Sequence, residues 1–117
     1  MSKQIGALGE KTAKIYLLQQ GLKWVENNFA CRIGEIDLIM LDGAYLVFVE
    51  VRQRKSAIYG GALASIDRKK QKKLIQVAQY YQQIHPQYQQ YASRIDVVAI
   101  DGVPQQITWI KNAITIS

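Results

Sequence analysis

The stretch from Glu35 to Arg52, EIDLIMLDGAYLVFVEVR, constrains this chain more than any other. Two short apolar runs flank Asp42-Gly43, a dipeptide that favours the tight turn of a β-hairpin. Glu35 to Leu41 and Tyr45 to Arg52 are therefore predicted as paired antiparallel strands. With Asp42 and Gly43 as the central turn residues, Leu41 faces Ala44, Asp37 faces Phe48 and Glu35 faces Glu50. Strand alternation then puts Asp37, Glu50 and Arg52 on one face. Asp37 and Glu50 become diagonal neighbours, with backbone separations of about 7–8 Å. A one-residue change in loop length would reverse the faces.

Buried strands rarely carry acids without a reason. Two carboxylates held together repel one another and need a counter-charge. A hard divalent cation, Mg²⁺ or Mn²⁺, supplies it through oxygen ligands. Arg52 points into the same space, where a cation stabilises the charge that builds on a phosphate under attack. An internal ion network of Asp37, Glu50 and Arg52 without a metal fits the same residues, and the sequence leaves both readings open. Glu10 lies at the edge of a helical stripe containing Ala13 and Leu17. It reads either as a third acid turned towards the sheet or as a surface helix glutamate. Lys70 emerges near the start of a second helix, one turn before Leu74, and either reaches a phosphate or is solvated.

The remaining elements follow from periodicity and punctuation. A first helix is predicted over about residues 3–20, with Ile5, Ala13, Tyr16 and Leu17 on one arc and Gly21 ending it. WVENNFACRI reads as one irregular strand before Gly34. Gln53 to Ser65 reads as a loop containing Gly60-Gly61. Ser65 or Asp67 caps a second helix, which buries Leu74, Ala78 and Tyr81 and stops at Pro86. Two further strands are expected at about Arg94 to Ile100 and Ile107 to Ile110. Arg94 and Asp96 are read as stabilisers of the first of these.

The resulting order, α-β-β-β-α-β-β, implies an α/β sandwich around a central mixed sheet. At 117 residues the whole chain, 1–117, is expected to be one domain. It has no apolar run long enough for a membrane span and no signal-peptide core, so a cytoplasmic location is expected. Cys31 is the only cysteine and His85 the only histidine, which leaves no internal disulfide and too few ligands for a zinc site.

Charge narrows the partners. The formal net charge is +6. Between Arg52 and Lys73 lie Arg52, Arg54, Lys55, Arg68, Lys69, Lys70, Lys72 and Lys73, opposed there only by Asp67. The rest of the chain holds seven basic and eight acidic residues. A local basic field of this kind suits a polyphosphate partner, although a solvated helix face has the same composition. Nucleic-acid contacts are expected from Arg54, Lys55, Arg68, Lys69, Lys72 and Lys73. The Tyr59-Gly60 segment is expected either to approach the backbone or to be only a turn.

Several segments together resemble a known family: GALGEKTAKIYL, NNFACRIGEIDLIMLDG, LVFVEVRQR, YGGALASID, KKQKKL and RIDVVAI. They span about residues 6–100 and resemble the YraN family of small bacterial proteins. The fold of that family is similar to restriction endonucleases and Holliday junction resolvases. The resemblance implies a restriction-endonuclease-like fold and a nuclease site in which Asp37 and Glu50 hold Mg²⁺ or Mn²⁺. It matches Glu10 to the acid on the first helix of resolvase-like members, and Lys70 to a lysine on the second helix. Arg52 stands where the family pattern has lysine. The resemblance also implies a homodimer, the usual form of resolvase-like proteins. The expected function is a Mg²⁺-dependent endonuclease that hydrolyses phosphodiester bonds in structured DNA. Its rivals are a DNA- or RNA-binding module that keeps the nuclease fold without cutting, and a scaffold for an acidic protein partner.

Overall fold

The hairpin closes one residue later than Asp42-Gly43 implies. In the computed structural model, which describes residues 2–54, 65–102 and 104–116 and only the backbone of residues 2–7, Asp42 pairs with Tyr45. Gly43 and Ala44 are therefore the turn residues. Gly43 takes φ +59° at the first central position, where a type II′ hairpin turn needs glycine. Leu41 faces Leu46 instead of Ala44, so every partner moves by two residues. A two-residue move preserves alternation. The shared face of Asp37, Glu50 and Arg52 survives, but their spacing changes. Continued one step beyond the Leu38↔Val49 pair, the ladder puts Asp37 directly across from Glu50.

The described elements are α1 (Ser2–Gln19), β1 (Lys23–Ala30), β2 (Glu35–Asp42), β3 (Tyr45–Arg54), α2 (Arg68–Ile84), β4 (Ala92–Asp101) and β5 (Gln106–Ile114), with a short 3₁₀ turn at Pro86–Tyr88. The strands form one mixed sheet in sequential order. Only β3 and β4 run parallel, a geometry that requires a crossover. Helix α2 lies in that crossover. It starts at Asp67, whose side chain accepts the Lys70 N–H at 2.8 Å. Helix α1 ends where Gly21 takes φ +96°.

The two helices cover opposite faces. Ala13 and Leu17 of α1 pack on Leu38, Met40, Val47, Val49, Val98 and Ile100. Leu74, Val77, Ala78 and Tyr81 of α2 pack on Ile39, Leu46, Phe48, Ile95, Val97 and Ala99. Strand β3 is buried on both sides, which is why LVFV is a continuous apolar run. The molecule is thus an α/β sandwich of the restriction-endonuclease-like kind. No helix among the described residues is long and apolar enough to cross a membrane.

Arg94 and Asp96 hold the far end of the sheet, as the sequence implies. Asp96 is fully buried and accepts from Arg94, from Trp109 Nε1 at 2.9 Å and from the Asn112 N–H at 2.9 Å. Arg94 also reaches Asp42 at 2.7 Å. Among the described residues no buried side-chain nitrogen or oxygen lacks a hydrogen-bond partner, so the ions are tolerated in the core.

Candidate functional site

Strand β2 departs from regular geometry at Asp37. Ile36 and Ile39 both pack in the α2 layer although strict alternation would separate them, while Leu38 packs against α1. In β1, Asn28 lies between the pairs Asn27↔Leu38 and Phe29↔Ile36, opposite Asp37, and takes φ +53°. Asparagine tolerates this left-handed region better than other non-glycine residues. The β2–β3 ladder stops at Leu38, and the Asp37 side chain continues it: Oδ2 accepts the Val51 N–H at 2.8 Å. Asp37 is thereby fixed at the point where β2 parts from β3.

Glu50 completes the pair from β3, at only 4% exposure. The two carboxyls lie within hydrogen-bonding reach of each other. Burial, and then the Asp37 charge, push the Glu50 carboxyl up to about 7, against the pull of Lys70 and Arg52. Asp37 is also raised, first by burial, with the Val51 N–H bond opposing the shift. Both cations stand close to Glu50 Oε2, Arg52 Nη1 at 3.5 Å and Lys70 Nζ at 3.6 Å. They fail to offset burial because both side chains are partly solvated, Lys70 by 44%. The pair is arranged to hold a shared proton or a cation.

Glu10 comes in from α1. The helix approaches β3 so closely at Gly9 that a Cβ there would lie 2.6 Å from Gln53 Oε1. The next residue, Glu10, is half-buried. Its carboxyl is raised by burial and by Asp37, while a hydrogen bond with Asn28 works the other way. The structure therefore brings Glu10, Asp37, Glu50, Arg52 and Lys70 to one end of the sheet. Among the described residues, no three His, Cys, Asp or Glu side chains gather closely enough to form a metal cluster. The donor set that fits a cation is the Asp37–Glu50 pair alone. Its buried hard oxygens suit Mg²⁺ or Mn²⁺ better than a soft metal.

Arg52 and Lys70 differ in their engagements. Arg52 donates from Nε to Ser65 Oγ at 3.0 Å and from Nη2 to the Ser65 carbonyl at 2.7 Å. Its fork thus ties the end of β3 to the residues leading into α2. Lys70, on the flank of α2, directs its ammonium at Glu50.

The other basic residues separate in the same way. Arg54 grips Asp101 with Nε at 2.8 Å and Nη2 at 3.1 Å, so its charge is balanced by β4. Arg68, Lys69, Lys72 and Lys73 are exposed on α2. Lys55, Tyr59 and Gly60 lie outside the described residues.

Sequence reasoning missed Asn28, Ser65 and the Val51 N–H. An Asn-Asn pair inside a strand was the one available signal, because asparagine is depleted there. Ser65 was considered only as a helix cap, a role taken by Asp67.

The comparisons with known proteins agree over almost the whole chain. The family described as "Uncharacterised protein family UPF0102" matches residues 9–100. A UPF0102 protein of Legionella pneumophila is 45% identical over 113 residues, covering 97% of this chain and 96% of the relative. One from Alcanivorax borkumensis is 49% identical, covering 95% and 91%. One from a Janthinobacterium species is 52% identical, covering 97% and 89%. None of these names states an activity. On this evidence the chain belongs to the UPF0102 family, the YraN proteins.

Proposed function

We propose that this protein is a metal-dependent endonuclease that hydrolyses phosphodiester bonds in structured DNA. The observation that carries the reading is the buried Asp37–Glu50 pair, with Lys70 reaching Glu50 from the start of a strongly basic helix. The first turns of α2 carry Arg68, Lys69, Lys70, Lys72 and Lys73 and no acid. Cations at a helix N-terminus oppose the helix dipole, at a cost of about 0.3–1 kcal/mol each when exposed. A phosphate at this end would relieve both the dipole and the mutual repulsion of the cations.

Asp37 and Glu50 would hold Mg²⁺ or Mn²⁺, which when bound supplies Lewis acidity towards the phosphate and makes water a better nucleophile at neutral pH. Lys70 donates hydrogen bonds to a phosphate oxygen and stabilises the charge that grows there. Glu10, its carboxyl already raised, accepts a proton from water on the α1 side. Arg52 holds the approach to α2 and so keeps Lys70 over Glu50. Lys69, Lys72 and Lys73 contact the nucleic-acid backbone without reading sequence.

The test is a cleavage and binding panel on junction, flap, single-stranded and duplex DNA, with and without Mg²⁺ or Mn²⁺. Cleavage that needs metal and is lost in Asp37→Asn supports the enzyme. Binding to the same substrates without cutting under any metal supports a non-catalytic DNA- or RNA-binding module. That second reading draws on one observation, that no three His, Cys, Asp or Glu side chains among the described residues are arranged to hold a metal ion together.

A further inference from the structure

Between the β1–β2 turn and α2, Cys31, Arg32, Ile33 and Tyr80 line a shallow cavity of about 190 Å³. Its floor is apolar. The turn between β1 and β2 supplies three of its residues and packs on α2, where a Cβ at Gly34 would meet Val77 Cγ2 at 3.6 Å. The turn also leads directly into β2, which carries Asp37. Ile33 and Tyr80 are 36% and 38% exposed, so each presents part of its apolar surface to solvent. The volume is below the 300–1,000 Å³ of ordinary small-molecule sites. It fits one planar ring system.

Helix geometry says what surrounds such a ring. Lys69, Lys73 and Tyr80 fall on nearly one line of α2, because steps of four and seven residues return to almost the same angle. Tyr80 lies about 10 Å along the axis from Lys73, at 1.5 Å per residue. A polyanion following the exposed lysines therefore passes over the cavity. Arg32, on its exposed rim, offers a guanidinium that can stack on a ring or pair with a phosphate.

We propose that the Cys31–Arg32–Ile33–Tyr80 cavity is a slot for a single unpaired nucleobase, and hence that the preferred ligand is DNA that carries single-stranded nucleotides. In a continuous duplex both faces of each base are covered by its neighbours, and Tyr80 can reach neither. An unpaired base exposes a face at little cost. Tyr80 and Ile33 take that face, while Lys69 and Lys73 take the phosphates. The proposal rests on the nucleic-acid reading above and adds the substrate class to it.

The test measures binding in EDTA, so cleavage plays no part. The probes are a short single strand carrying one 2-aminopurine and a blunt duplex of the same sequence, at low salt. The native protein should bind both, and the 2-aminopurine emission of the single strand should fall as the base stacks. Tyr80→Ala should weaken single-strand binding about tenfold, as loss of one base–aromatic stack does, and leave duplex binding within about twofold. Tyr80→Phe should retain the native preference. Ile33→Glu, at an exposed position, should repeat the Tyr80→Ala result with the helix untouched. Equal losses on both probes in both variants, or unquenched emission with the native protein bound, would overturn the slot while leaving nucleic-acid binding intact. No binding of either probe by the native protein would overturn both readings.

Discussion

Glu50→Gln should make this protein more stable at alkaline pH and change little at acid pH. The carboxyl of Glu50 titrates at about 7 in the folded chain against an ordinary 4.5. Its folded value is raised, so the folded state binds the proton more tightly than the unfolded state. The associated stability is fully present below about pH 4.5 and is lost as pH rises through about 7. At 1.36 kcal/mol per unit, the full loss is about 3 kcal/mol. Glutamine cannot ionise, yet its carbonyl still accepts from Lys70 and Arg52. The two cations are partly solvated, so weakening their ion pairs costs well under that amount. Urea unfolding of both proteins in EDTA at about pH 5 and about pH 8.5 isolates the acidic pair, because titrating groups remote from it cancel in the difference. The variant should gain up to about 3 kcal/mol at the higher pH, or roughly 10 °C in melting temperature for a domain of this size. A difference between variant and native protein that is the same at both pH values would refute the reasoning. It would mean that burial and Asp37 do not hold Glu50 in its neutral form.

Asp37→Asn keeps an acceptor for the Val51 N–H but removes the charge, so the fold should persist; millimolar Mg²⁺ or Mn²⁺, expected to raise the melting temperature of the native protein, should no longer do so. An unchanged native melting curve with metal would count against the site. Sequence-independent DNA binding should fall steeply with salt, with a log–log slope near about −4.5 if about five duplex phosphates are contacted. Reversing Lys69, Lys72 and Lys73 to Glu should remove most of that affinity in an anisotropy titration, and retained affinity would displace the interface from α2. Arg52→Lys keeps the charge but cannot reproduce both bonds to Ser65, so chemical denaturation should show a loss of about 1–2 kcal/mol. Cleavage should not rise above the native rate, because the lost bonds to Ser65 loosen the approach to α2. Asp96→Ala should cost about 3–5 kcal/mol, read by the same denaturation, because it leaves Arg94 without its buried partner and orphans the Trp109 and Asn112 donors.

The acidic pair was legible in the sequence because side-chain alternation is robust to the kind of error made at the turn. Asp42-Gly43 named the hairpin but not its register, since Asp-Gly can occupy either the two central positions or the first two of the four turn residues. The resulting error was two residues, and a period of two carries Asp37, Glu50 and Arg52 to the same face under both registers. The stripe of Leu74, Ala78 and Tyr81 was legible for a similar reason: burial at helical spacing is a property of one segment. The limits of Arg54 and Arg52 were not. Arg54 read as a nucleic-acid contact and Arg52 as a cation facing either a phosphate or the two acids, yet Arg54 is held by Asp101, forty-seven positions away, and Arg52 is tied to Ser65 as well as standing by Glu50.

What the sequence determined by itself was the order of elements, the buried face of each and the presence of two acids where apolar residues belong, because each follows from local periodicity. Tertiary structure decided which charges remain available. It turned Asp37 into the acceptor for Val51, brought Glu10 against Asp37 through the close approach at Gly9, and left Lys70 over Glu50 while Arg52 closed onto Ser65. It also set Ile33 beside Tyr80, two residues that no pattern in the chain connects. Such pairings depend on where separate segments cross, and a charge or a ring acquires its role only from the partner that the crossing supplies.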